Sequence, residues 1–314
     1  MNKQEAISIL KEHNQEHVVK RLEALGDDAA KKLISQVAMI DWKVVESIND
    51  KAEDKGEAKK IEPLAAVEIN DIKNNKEKYT AKGVEAIKNG KVAAVLLAGG
   101  QGTRLGLDKP KGTLNVGVNK DLFLFGQLIH NLMDVVNQTG AWVPLYIMTS
   151  DKNNKDTVEF FEEHNYFGYD KDYVKFFIQS MVPSVDYNGK LYMESTDSLA
   201  MSPNGNGGWF LSLIAAGLDK DMQDKGVEYV NVFAVDNILQ RIADPAFIGA
   251  TILAGAECGS KVVRKCEPEE KVGVMCRVNG HPSIIEYYEM SEELASLRRE
   301  DGELTYGFGV ILNY

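Results

Sequence analysis

Gly99-Gly100-Gln101-Gly102-Thr103-Arg104-Leu105-Gly106 leaves an apolar run and is followed shortly by Pro110-Lys111-Gly112. Glycines leaving a strand let backbone N–H groups approach phosphate oxygens without a Cβ in the way. Arg104 and Lys111 add a guanidinium fork and an ammonium point charge, a donor pair suited to a triphosphate. Two better-known glycine loops do not fit. The dinucleotide fingerprint needs glycine where the chain has Leu105, and the P-loop fails because Lys111 is followed by Gly112. A structural turn carrying two surface cations is the plain alternative.

Other candidates are spread along the chain. Asp236 follows the apolar run Tyr229 to Val235. A carboxylate at a buried strand end suits Mg²⁺, which prefers oxygen ligands and substrate phosphates; it could equally cap a helix before Ile238. Gln179 ends the run Val174 to Ile178, where a carboxamide can donate and accept at once or merely terminate a strand. Asn204-Gly205-Asn206-Gly207-Gly208 precedes a helix near Trp209. It reads as a turn, or as a helix N-terminus open to anions. Glu286-Tyr287 sits in a strand-like run, where glutamate usually faces solvent. His13 and His17 have helical spacing but no accompanying carboxylate pattern, so a surface or core role is expected rather than a metal site.

These residues need elements to position them. Val92-Ala93-Ala94-Val95-Leu96-Leu97 is continuous and apolar, the pattern of a parallel strand buried on both faces. Strand-like runs recur at Pro144 to Thr149, Val174 to Gln179 and Tyr229 to Val235, with helical patterns at Leu122 to Val136, Asp156 to Asn165 and Gly208 to Asp224. That alternation predicts an α/β fold with a mixed, mostly parallel sheet, in which ligands bind beyond the C-terminal strand ends. Short strands are expected later, at Lys261 to Lys265, Val272 to Val278 and Ile284 to Met290, the last run reaching back to Ser283. Residues 1–88 read as an N-terminal helical region, with Ile7, Leu10, Val18 and Leu22 at helical intervals and a solvated charged run at Lys51 to Lys60. Residues 89–314 read as the catalytic domain.

Composition narrows the class. The 314 residues are 44% hydrophobic and 26% charged, ordinary for a globular protein. The net charge of −11 opposes binding to nucleic acid, where affinity comes from neutralising phosphates. No apolar run is long enough to span a bilayer, and no signal peptide is visible. Three cysteines without metal-type spacing fit a reducing cytoplasm.

Leu96 to Gly106 with Pro110-Lys111-Gly112 resembles the eukaryotic-type UDP-sugar pyrophosphorylases, and within them the branch acting on N-acetylglucosamine 1-phosphate. Tyr146 to Ser150, Phe176 to Gln179, Ser202 to Gly208, Val235 to Leu239 and Val272 to Arg277 match in order, so the resemblance runs from about Val92 to Tyr306. It implies a glycosyltransferase-A-like, Rossmann-like domain that joins uridylate from UTP to a sugar 1-phosphate and releases pyrophosphate with Mg²⁺. Arg104 and Lys111 would be catalytic. Leu97, Ala98, Gly99, Gly100, Gln179, Gly205 and Asp236 would contact the nucleotide, Gln179 at uracil, with Asp236 also holding the metal. Asn206, Gly273, Glu286 and Tyr287 would contact the sugar. The sugar 1-phosphate nucleophile is already anionic, so no general base is required. A UDP-sugar sensor without turnover is the non-enzymatic alternative; a glycosyltransferase would carry a DxD motif, and none occurs near Asp236.

The ending departs from the family pattern. Where the family reads Asn-Ala-Gly-Asn-Ile, this chain reads Gly307-Phe308-Gly309-Val310-Ile311, so Val310 replaces an asparagine that contacts the sugar. Glucose 1-phosphate becomes a serious rival substrate. The resemblance further implies a C-terminal domain, and the expectation is that this chain lacks it. On that reading Phe308 to Leu312 would be uncovered, and the chain would bind UTP weakly and turn over slowly.

Overall fold

A computed structural model describes residues 1–46, 60–102, 106 and 108–314. The expected charged run falls almost entirely outside these residues. The strands are β1 (Ile61–Pro63), β2 (Val92–Leu97), β3 (Leu145–Thr149), β4 (Val174–Ile178), β5 (Met181–Pro183) and β6 (Met201–Pro203). They continue with β7 (Tyr229–Ala234), β8 (Val262–Arg264), β9 (Val274–Val278), β10 (His281–Ile285) and β11 (Phe308–Val310). Two compact units divide the chain, Met1–Ala58 with Ser180–Gly208, and Lys59–Gln179 with Trp209–Tyr314.

The first unit packs three helices, Lys3–Glu12, Glu16–Ala24 and Asp27–Ala38, against a ribbon built on β5 and β6. Asn2 and Glu5 form a reciprocal capping box at the first helix. Leu10, Leu22 and Leu33 are fully buried and meet Leu191 and Leu199 of the ribbon. Gln15, 2% exposed, donates to the Gly189 carbonyl at 2.9 Å and accepts from the Leu191 N–H at 3.0 Å. His13 stacks on Trp42 with its Nδ1 2.9 Å from Glu46 Oε1, a carboxylate partner the sequence did not mark, and His17 Nε2 lies 2.7 Å from the Leu191 carbonyl oxygen.

The second unit holds a four-stranded sheet of order β4-β3-β2-β7, parallel throughout. In the central strands β2 and β3 residues alternate between two covered faces, which is why both read as continuous apolar runs. Ala94, Leu96 and Ile147 face a core with Phe125, Leu128 and Leu132 of the Leu124–Thr139 helix. Ala93, Val95 and Tyr146 face the other, with Leu213 and Met222. A second sheet is antiparallel, of order β1-β9-β11-β8 with β10 also on β9.

Several boundaries differ from expectation. The helix Lys76–Lys88 belongs to the second unit rather than to an N-terminal region ending at 88, because Ala86 and Ile87 pack into the core of the parallel sheet. Residues 180–208 instead join the N-terminal helices. The predicted helix Gly208 to Asp224 is two, Trp209–Ala215 and Leu218–Asp224, broken at Gly217 with φ +71°. The last expected strand ends at Ile285, and Tyr287 to Glu289 turn away. The run at Phe308 to Leu312, expected to be uncovered, is seated. β11 pairs with β8 and β9, Leu312 packs on the parallel sheet, and Tyr314 exchanges two backbone hydrogen bonds with Val232 at 2.7 and 3.0 Å.

Candidate active site

The C-terminal ends of the parallel strands gather seven of the expected residues: Leu97, Ala98, Gly99, Gly100, Lys111, Gln179 and Asp236. β2 continues into Leu97 and Ala98, both buried, and the Ala98 N–H donates to Met148 at 2.8 Å. Beside it, the Val235 N–H donates to Leu97 at 3.3 Å, and the Gln179 N–H donates to Thr149 at 2.8 Å. Register along β2, β3, β4 and β7 thus fixes where Gly99, Gln179 and Asp236 begin.

Gly99 leaves room for the Gln179 carboxamide, which a side chain there would displace. A Cβ there would lie 2.8 Å from Gln179 Oε1. Gln179 is 6% exposed, so its carboxamide is a buried wall of the loop. Asn153, fully buried and not foreseen, clasps the loop from below. Its Nδ2 donates to Ala98 at 3.0 Å and Gly100 at 3.3 Å, while Oδ1 accepts from the Ser150 N–H at 2.7 Å. Farther on the loop closes on itself, with Gly102 N–H donating to Lys109 at 3.1 Å and Gln101 bridging Pro110. Gly112 accommodates the buried Phe125 ring, which would meet a Cβ at 2.2 Å.

That closure delivers Lys111, whose Nζ reaches Asp236 Oδ1 at 2.5 Å. The two are far apart in sequence and sit beyond adjacent strands, β2 and β7. Asp236 is 64% exposed at its side chain and Lys111 29%. Asp236 caps no helix: it opens a turn, and the next helix, Pro245–Leu253, is capped by Asp244. Arg104 lies outside the described residues. Among the described residues no three His, Cys, Asp or Glu side chains could together hold a metal ion. A lone exposed carboxylate still fits Mg²⁺, which is commonly bound through one or two carboxylates plus substrate phosphates.

A second group forms around the antiparallel sheet. A Cβ on Gly273 would stand 3.3 Å from both carboxylate oxygens of Glu286, and the Val310 N–H donates to the Gly273 carbonyl at 2.8 Å. Glu286 is anchored by its own turn, its N–H donating to Glu289 Oε2 at 3.0 Å. Tyr287 is exposed and packs edge-on against Tyr288. Gly205 (φ +78°) and Asn206, an exposed residue, fall in the first unit, in the turn before the Trp209–Ala215 helix.

The model of the family described as UTP–glucose-1-phosphate uridylyltransferase matches residues 28–302. The chain belongs to that family. Among the relatives of this uridylyltransferase-family chain, the human UDP-N-acetylhexosamine pyrophosphorylase-like protein 1 is 45% identical over 76% of the chain and 48% of the relative. The Saccharomyces cerevisiae UDP-N-acetylglucosamine pyrophosphorylase is 40% identical over 81% and 55%. The solved Trypanosoma brucei uridine diphosphate N-acetylglucosamine pyrophosphorylase superposes with a TM-score of 0.82, 29% identity, all of this chain and 66% of that one. The chain therefore spans about half to two thirds of the length of these relatives.

Proposed function

We propose that the chain is a uridylyltransferase, joining uridylate from UTP to N-acetylglucosamine 1-phosphate. The observation that carries this reading is the Lys111–Asp236 contact beyond adjacent parallel strands, at the mouth of a clasped glycine loop. One cation and one metal-binding carboxylate side by side suit a magnesium triphosphate. The names of the human, yeast and trypanosome relatives support the N-acetylated sugar. A glycosyltransferase-A-like reading of the domain agrees with the parallel sheet, and the three free cysteines agree with the cytoplasm.

In this reading a phosphate oxygen of the sugar 1-phosphate attacks the α-phosphorus of UTP in line. The bond to the bridging α–β oxygen breaks, and pyrophosphate leaves with the electron pair. The backbone of Leu97, Ala98, Gly99 and Gly100 lines the nucleotide, and Gln179 offers its carboxamide to uracil. Lys111 and Arg104 balance charge on the departing pyrophosphate. Asp236, together with the phosphates, would hold Mg²⁺, which would supply Lewis-acid neutralisation of the triphosphate. Gly273, Glu286 and Tyr287 bind the sugar, Glu286 accepting from hydroxyls.

Val310 favours a second reading in which glucose 1-phosphate is used as well. Valine brings no polar side-chain group to Gly273 and Glu286. Pyrophosphate release from UTP with N-acetylglucosamine, glucose and galactose 1-phosphates separates the readings. Release with the first is the expected result. Binding of UDP-sugar without release from any of the three would overturn transfer in favour of a sensor.

A further inference from the structure

The segment from Val235 to Asp244 carries Asp236 yet forms neither helix nor strand, so its backbone polar groups need partners elsewhere. Four carboxamides supply them. Gln240 Nε2 donates to the Ala234 carbonyl at 2.8 Å, folding the segment back onto the end of β7. Gln240 Oε1 accepts from Asn313 Nδ2 at 2.9 Å. Asn131, on the Leu124–Thr139 helix, donates to the carbonyls of Ile238 at 2.8 Å and Gln240 at 3.0 Å. Asn231 accepts from the Ala243 N–H at 2.7 Å and donates to Asn313 Oδ1 at 3.0 Å.

Three of these amides are buried: Asn231 is 4% exposed, Gln240 6% and Asn313 0%. A buried amide is expensive unless hydrogen-bonded, so the array admits few loop conformations. It even holds Ala243 at φ +48°, a left-handed conformation unfavourable for an alanine. None of the four titrates, so the array can fix position and cannot move protons. The segment is thus tied on both sides of Asp236, at Ala234 and at Ile238, while the Asp236 carboxylate stands out toward solvent and Lys111.

We propose that Gln240 is a positioning residue: its side chain closes the segment so that Asp236 is preset to share a divalent cation with a nucleotide's phosphates. This rests on the reading of Asp236 as the metal-holding carboxylate. Gln240 touches no reacting atom in it and acts through Asp236. Asn131 does the same work from the helix side.

The test uses Mn²⁺ as probe, titrated into the chain with saturating UTP and followed by electron paramagnetic resonance, the protein concentration corrected for the folded fraction from circular dichroism. Gln240→Ala should weaken Mn²⁺ by about 10–100-fold, the usual effect of losing a partner that orients a metal ligand. Asn131→Ala should act in the same direction, and it carries the test if Gln240→Ala does not fold. Asp236→Asn reports on the underlying reading. If Asp236→Asn weakens Mn²⁺ but neither amide variant does, the role of Gln240 is overturned and the site stands. If Asp236→Asn binds Mn²⁺ as the parent does, the site reading falls and the positioning role with it. A purely structural role would lower the melting temperature while leaving Mn²⁺ affinity of the folded fraction unchanged, which also overturns the proposal.

Discussion

Lys111 and Asp236 neutralise one another at 2.5 Å, but an ion pair this open to water adds only ~0–1 kcal/mol to stability. Their value lies in what displaces the contact. Lys111→Ala should lower turnover by roughly 10²–10³-fold, the loss typical of one preorganised donor at a transition state, with little change in melting temperature. Asp236→Asn should instead raise the Mg²⁺ needed for half-maximal rate. Near-normal rates and Mg²⁺ requirement in both would show that the assignment is wrong. At the sugar end, Val310→Asn should raise the preference for the N-acetylated sugar over glucose, by about tenfold for each ~1.4 kcal/mol of hydrogen bonding restored. A parent chain that already rejects glucose 1-phosphate by several orders of magnitude would remove the reason for the substitution. Lys111 and Asp236 were legible because strand ends and glycine turns leave sequence marks. Asn153 and Gln240 were not, since a clasping amide is set by whichever carbonyls the fold happens to leave open. Only Asn231 left a trace, as a polar residue inside the apolar β7 run.

Among the elements, β2, β3, β4 and β7 fall within a residue of their expected limits; in β2 and β3 burial on both faces forces uninterrupted apolar runs, while the edge strand β4 carries an exposed Lys175 and β7 carries Asn231. β1 escaped because Ile61–Pro63 gains strand character from pairing with β9, not from its own pattern, and β10 was expected too far along the chain because only Ser283 to Ile285 of the expected run pair with β9. One inter-element tie offers a pH test. Tyr146, fully buried on β3, donates to Asp221 Oδ2 at 2.6 Å, and Lys225 reaches Asp221 Oδ1 at 2.5 Å, joining sheet to the Leu218–Asp224 helix. Burial alone would raise the Asp221 carboxyl, but hydrogen bonds from Lys225 and Tyr146, with the Lys225 and Lys175 charges, hold it below the usual carboxylate range. A depressed folded value means stability that is fully present above the unfolded value near ~3.9 and is lost as pH falls through the folded one. Asp221→Asn should therefore be less stable than the parent at pH 7, and the difference should shrink below about pH 4. Tyr146→Phe should cost about 1.5–3 kcal/mol at neutral pH, as expected for a hydrogen bond to a charged group. Denaturant midpoints at several pH values check both, and a parent–Asp221→Asn gap that does not change with pH would count against this tie.

Across the whole molecule, the placement of histidines and cysteines bears on how rate depends on pH. His13 and His17 belong to the first unit, His13 between Trp42 and Glu46 and His17 against the Leu191 carbonyl. His164 sits among Phe123, Phe160 and Phe167 with Nδ1 2.8 Å from the Phe160 carbonyl oxygen, and His130 and His281 are exposed on a helix and on β10. Cys258 and Cys266 are exposed, and Cys276 lies in the core of the antiparallel sheet, where burial raises its thiol. The strand-end group of Gly99, Lys111, Gln179 and Asp236 contains neither residue type. A transfer that uses an anionic phosphate oxygen and fixed cations needs no base poised near neutrality. Turnover at saturating UTP, sugar 1-phosphate and Mg²⁺ should therefore be flat from about pH 7 to 9, falling only below about 6 as phosphate takes up a proton. The same flat profile should persist in His130→Gln and His281→Gln. A bell-shaped profile with a limb near 6.5 that disappears in either variant would mean that a histidine takes part in the chemistry, and the scheme of positioning and charge alone would have to be abandoned.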